Sequence, residues 1–214
     1  MNKKLLTFIL SLAVLSSLIP TTFVQAARQK AEAAYGTPVI DGEIDEVWNK
    51  TNAYVVKHCH ETKSDMYKGW FKVLWDENYI YVLGKSYSTQ LDDSIAYGHM
   101  QDSFDAYFDE DLDGTNGYET DDYQVRTNYK SEVSGNNYPD FSKVIAAAKT
   151  FETGFVGEMA IPLTTKSPQE GLELGFEVLM TASQTPVVER RQYLWNTEKD
   201  WVWNNTGCFG RLGL

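Results

Sequence analysis

Beyond residue 26 the sequence has no apolar run near the ~20 residues that a membrane span requires. It is short of basic charge: 19 Lys and Arg stand against 30 Asp and Glu, a formal charge of −11. Nucleic acid and anionic lipid bind to clustered Lys and Arg, so no nucleic-acid partner and no membrane partner are expected. No segment keeps a 3.6-residue apolar period over three turns, which argues against a helical domain. A nucleophile elbow, an HExxH metal motif, an internal repeat and a Pro/Ser-rich linker are all absent from the sequence. The sequence carries two cysteines, Cys59 and Cys208.

Residues 1–26 read as an export signal. Lys3 and Lys4 form the charged segment, Leu5 to Ile19 the apolar one, and Val24-Gln25-Ala26 a small-x-small cleavage site. A membrane anchor is the alternative, but the apolar run is short for a span. Residues 27–214 are then expected to be one secreted domain with a formal charge of −13, since the signal removes two lysines and no acids. In an oxidising compartment Cys59 and Cys208 are candidates for a disulfide joining the first and last strands. Such a bond typically adds about 2–4 kcal/mol, and two buried free thiols are the alternative.

What fills the domain is strand and turn. Pro38–Ile40 reads as a short strand leading into the Asp41-Gly42 turn, followed by an acidic turn that buries Trp48. Phe71–Trp75 and Tyr79–Leu83 flank Asp76-Glu77-Asn78 as a hairpin, and Val144–Phe151 and Phe155–Ile161 form another around Glu152-Thr153-Gly154. Ser103–Phe108, Tyr123–Tyr129, Leu172–Met180 and Cys208–Leu214 supply further strands. Ala146–Ala148 is assigned to strand because its neighbours are β-branched and aromatic. Many short strands in one domain of this length predict an all-β fold, an antiparallel β-sandwich.

With the strands in order, a resemblance becomes visible. Val39-Ile40-Asp41-Gly42-x-Ile44-Asp45-Glu46-x-Trp48 and Lys72-Val73-Leu74-Trp75-Asp76-Glu77-x-Tyr79-Ile80-Tyr81-Val82 resemble the family 9 carbohydrate-binding modules. Gln101-Asp102-Ser103-Phe104-Asp105, the Asp121–Asn128 segment, Gly154-Phe155-Val156-x-Glu158-Met159-Ala160-Ile161-Pro162, Gly175-Phe176 and Phe209-Gly210-x-Leu212 follow in the family's order. The resemblance implies a β-sandwich accompanying secreted xylanases and other glycoside hydrolases. It also implies binding of xylan and cellulose chain ends between two tryptophans with a polar rim, and structural calcium.

Carried over residue by residue, the resemblance names Trp203 as one sandwich tryptophan, in the polar loop before the last strand, with Trp201 beside it. Aromatic faces suit the C–H patches of a pyranose ring. Arg126 and Asn128 match the family's polar pair; they alternate on one strand and so face one side, with donors suited to vicinal hydroxyls. An ordinary ion pair of Arg126 with an acid is the alternative. Asp105 replaces a family Glu that accepts from a sugar hydroxyl. His99 stands where the second tryptophan is expected, with Tyr97 as a possible substitute from the same loop, and Leu179 stands where the family has a sugar-bonding glutamine.

Asp109-x-Asp111-x-Asp113-Gly114 has the alternating oxygen ligands of half a calcium loop, with Glu119 as a further candidate ligand. Thr120 takes the twelfth position, so this is not an EF-hand. Three other functions remain open from the sequence, one of them a non-sugar interaction domain that keeps only the scaffold. A glycoside hydrolase of xylanase type would need a spaced carboxylate pair, and none is singled out. A haem- or metal-binding sandwich would draw on His58, His60, His99 and Met100.

Overall fold

The computed structural model describes residues 28–62, 64–182, 190–196 and 202–214; the signal segment and Trp201 lie outside them. The described residues form thirteen strands. In chain order these are β1 (Lys30–Glu32), β2 (Ala34–Tyr35), β3 (Tyr54–Cys59), β4 (Ser64–Trp75), β5 (Ile80–Tyr87), β6 (Ser103–Asp109) and β7 (Asp122–Asn128). They continue with β8 (Val133–Asn136), β9 (Ile145–Phe151), β10 (Gly154–Ile161), β11 (Glu173–Ala182), β12 (Arg191–Leu194) and β13 (Gly210–Gly213). The helical elements are single 3-10 turns, such as Glu46–Lys50 and Gly98–Met100.

One leaf runs β3-β4-β5-β10-β9 and the other β8-β7-β6-β11-β12, with β13 also on β11; β12 pairs with β3 and joins the leaves along one edge. All these ladders are antiparallel. The exceptions are two short parallel pairs, β1 with β13 and β2 with β4. The first and last strands are therefore tied by a backbone ladder, Lys30 opposite Arg211 to Glu32 opposite Gly213. The expected Cys59–Cys208 disulfide is not formed in this structure. Cys59 packs in the inter-leaf core, whereas Cys208 sits against a separate cluster on the outside of the second leaf and donates to the Asn205 carbonyl, 3.0 Å away.

Period-2 alternation places the core. Phe71 and Val73 of β4, Val82 of β5, and Phe155 and Met159 of β10 meet Phe104, Ala106 and Phe108 of β6, Val125 of β7, and Phe176 and Val178 of β11. Each such side chain contributes about 1.5–3 kcal/mol by leaving water. Phe176 stacks at its edges on Phe71 and Phe108, with centroids 5.8 and 5.2 Å apart. Both predicted hairpins form. Asp76 Oδ1 accepts from the Asn78 and Tyr79 amides in the first, and Phe151 lies opposite Gly154 in the second.

The Pro38–Ile40 strand does not form. The Val39 amide donates to the Asp45 carboxylate (2.8 Å) instead of a ladder carbonyl. The turn after it clamps one buried group, Glu158 on β10. Its Oε2 accepts from Gly42 N (2.8 Å) and Asp41 N (3.2 Å), and its Oε1 from Trp48 Nε1 (3.0 Å). Gly42 has φ of 83°, and a Cβ there would lie 3.0 Å from the β9 backbone, so glycine is required.

Candidate functional site

The outer face of the second leaf builds the site. Register sets Ser134, Arg126, Asp105, Leu179 and Leu194 in one row across β8, β7, β6, β11 and β12, with Asn136, Gln124, Tyr107 and Glu177 in the next. A cavity of about 470 Å³ opens on this face. Its walls are His99, Tyr107, Gln124, Arg126, Asn136, Arg190, Gln192 and Trp203, with the Gly135 backbone. Of the sequence-predicted residues it thus gathers Trp203, Arg126 and His99.

Trp203 projects from the loop before β13 and is 41% exposed. That loop is strapped to the acidic loop by Gly117 N to Asn204 O (2.8 Å), Thr206 N to Thr115 O (3.1 Å) and Tyr118 Oη to Val202 O (2.6 Å). Beneath it lie Tyr107, Leu179, Leu194, Val202 and Phe209, a dry cluster of their own. Leu179, which replaces the family's glutamine, is therefore part of the seat of the Trp203 loop.

Arg126 is held by a fork. Its Nε donates to Asp105 Oδ1 (2.8 Å) and its Nη2 to Oδ2 (3.1 Å), and Gln124 Nε2 donates to the same Oδ2 (3.0 Å). Asp105 is wholly buried, so it anchors Arg126 and Gln124 from below; the direct acceptor role expected for it is corrected. The ion pair and the cavity wall, alternatives in the sequence, are both present at Arg126. Two-donor geometry to a carboxylate fixes the guanidinium plane.

Asn128 is also corrected. It lies at the end of β7, where its Oδ1 accepts from Lys130 N and Glu132 N and its Nδ2 donates to Gln101 and Glu132. These bonds stitch a turn and hold Asn128 out of the cavity wall. His99 reaches the wall because Gly98 lets its loop close down: a Cβ on Gly98 would meet Ser134 Oγ at 2.7 Å. Burial, then the charges of Arg190 and Arg126, push His99 below its ordinary value. Tyr97 is an exposed neighbour, its ring 5.8 Å from that of His99, and is not a wall residue.

Gln124, Tyr107, Asn136, Gln192 and Arg190 were not predicted. Gln124 precedes Arg126 by two, so strand period alone could have found it; Asn136 needs the β7–β8 register. Nothing in the sequence points to Arg190.

The acidic loop brings Asp109 and Asp111 together with Asp121, carboxylate oxygens within 4.8 Å of one another. Asp113 and Glu119 are not in this group. Asp113 instead accepts from Thr115 N, and the Glu119 amide donates to Asp122. Burial first, and neighbouring acids after it, push Asp109 and Asp121 above the ordinary carboxylate range. Among the described residues this is the group suited to a cation, and it contains no histidine, which leaves His58, His60 and His99 without a shared metal centre there. No helix among the described residues is long and apolar enough to cross a membrane.

Comparison with known proteins places this arrangement. Exoglucanase XynX of Acetivibrio thermocellus is 33% identical over 186 residues, covering 87% of this chain and 17% of that protein. Endo-1,4-beta-xylanase A of Thermoanaerobacterium saccharolyticum is 31% identical over 193 residues, 88% of this chain and 16% of that protein. The chain thus spans under a fifth of these relatives. A family 9 carbohydrate-binding module from Caldicellulosiruptor kristjanssonii, solved with cellotriose and with glucose, superposes with a TM-score of 0.80 at 27% identity, over 87% of this chain and 93% and 95% of those chains. The carbohydrate family 9 binding domain-like profile matches residues 40–214, and the chain belongs to that family.

Proposed function

We propose that the cavity under Trp203 binds the ends of β-linked glucan or xylan chains and thereby holds polysaccharide for a secreted glycoside hydrolase. The observation that carries this reading is that half-exposed Trp203 lines one cavity together with Gln124, Asn136, Gln192 and the guanidinium groups of Arg126 and Arg190. A pyranose stacks its C–H face on the indole while Arg126, Gln124, Asn136 and Gln192 bond its hydroxyls. Buried donors left unpaired by a wrong ligand cost about 1–3 kcal/mol each, which gives selectivity. Binding is favoured over cleavage because the matching family is a carbohydrate-binding one and the solved module carries cellotriose and glucose. The solved module with cellotriose and glucose, and the exoglucanase and xylanase among the relatives, support the choice of ligand and of company. The charged and apolar segments of residues 1–26 support export. Titration of cellotriose and of its borohydride-reduced form tests end recognition; about tenfold weaker binding of the reduced sugar is expected, and equal binding removes the end preference.

The same reading includes a structural calcium ion. Asp109, Asp111 and Asp121 would hold it: three hard oxygen donors at one place suit calcium. An ion there would brace the loop onto which the Trp203 loop is strapped. Calcium is expected to raise the melting temperature and EDTA to lower it, each by several degrees. A melting temperature indifferent to both rejects the ion.

A further inference from the structure

The cavity wall carries more positive charge than a neutral sugar calls for. Arg126 is answered by Asp105 beneath it, at 2.8 Å. Arg190 is not. Its Nη1 donates to the His99 carbonyl (2.7 Å) and touches the Met100 sulfur (3.3 Å), both neutral. No ion pair forms between Arg190 and a carboxylate among the described residues, and its Nε and Nη2 are not used in these contacts. A guanidinium offers five donors in a planar fork that matches a carboxylate. Two such groups face one half-enclosed space that has no acid on its described wall. Burial pushes Arg190 below its ordinary value against the pull of Glu61, and the charge of Arg126 adds to the lowering.

We infer that the cavity accepts a sugar end bearing a carboxylate, received by Arg190 with the outward nitrogen of Arg126. This rests on the cavity being the glycan site and narrows the class of sugar it takes. The chemistry has two sources: a uronic acid, oxidised at C6, or an aldonic acid, oxidised at the reducing carbon. The chain's overall negative charge does not oppose it at contact range, because at physiological ionic strength charges beyond about 8 Å are largely screened.

The test compares matched ligands on the whole chain. Cellobiose against cellobionate probes the aldonic source; xylotriose against glucuronosyl-xylobiose probes the uronic one. At least one acidic ligand is expected to bind roughly tenfold more tightly than its neutral partner, the scale of one added charge-assisted hydrogen bond. That ratio should shrink at high salt. Arg190→Gln should bring it near one and Arg190→Lys should keep part of it, with thermal melts confirming that both variants are folded. Acidic ligands binding no more tightly than neutral ones, or a ratio unchanged in Arg190→Gln, overturns the inference while neutral-sugar binding stands. If no ligand of either kind binds, the glycan reading itself fails, and the inference with it.

Discussion

Two tryptophans divide this molecule into a part that holds and a part that offers. Trp48 is wholly buried, its indole N–H spent on Glu158 and its carbonyl accepting from Lys72 Nζ (2.7 Å). Trp203 is 41% exposed on a loop that lines a cavity. Both follow polar turns in the sequence, so residue type alone does not separate them. The partner does. The Trp48 turn is bound inward by a carboxylate that projects from a core strand, whereas the Trp203 loop is strapped to the acidic loop and its side chain stays half-exposed at the cavity. The buried carboxylates of the two regions differ in the same way. Glu158 meets only neutral N–H donors, while Asp105 meets a guanidinium that it positions for the cavity.

The contrast breaks most sharply at Trp48. Trp48→Ala removes a large core ring and one of the Glu158 donors, so a loss of about 3–5 kcal/mol is expected in denaturant unfolding. An equal effect on sugar binding and stability would erase the division.

The pH dependence of stability gives a smaller effect and a distinct sign. Burial pushes Glu158 up to about 7 against the pull of its three donors. The folded state therefore holds its proton more tightly than the unfolded state. This contribution is complete below the ordinary glutamate value and is lost as pH rises towards 7, at up to about 1.4 kcal/mol per unit. Glu158→Gln should flatten that slope; an unchanged slope would place the titration elsewhere.

Much of the fold is legible in the sequence because period 2 and turn chemistry act locally. Phe104, Ala106 and Phe108 face the core as alternation requires, and Asp76 and Gly154 end their hairpins as turn residues do. Long-range pairing is less legible. Pro38–Ile40 has strand composition, but its amide bonds go to side chains. Alternation puts Arg126 and Asn128 on one face without saying that β7 ends at Asn128, where a turn takes its donors. Spacing in the acidic loop suggested Asp113, but the path of the loop brings in Asp121 from beyond it. Arg190 reaches the cavity only through the packing of distant segments, and Cys59 and Cys208 fall in separate clusters that adjacency in sequence does not reveal.

Trp203 is proposed to serve binding and to contribute little to the fold. Calorimetric titration of cellotriose into the wild type and Trp203→Ala, each with its own thermal melt, tests it directly. A loss of affinity of about 5- to 30-fold is expected, from about 1–2 kcal/mol of lost stacking. The melting temperature should shift by no more than about 2–4 °C, the change expected from 1 kcal/mol in a domain of this size. Equal affinity in the two proteins would contradict it.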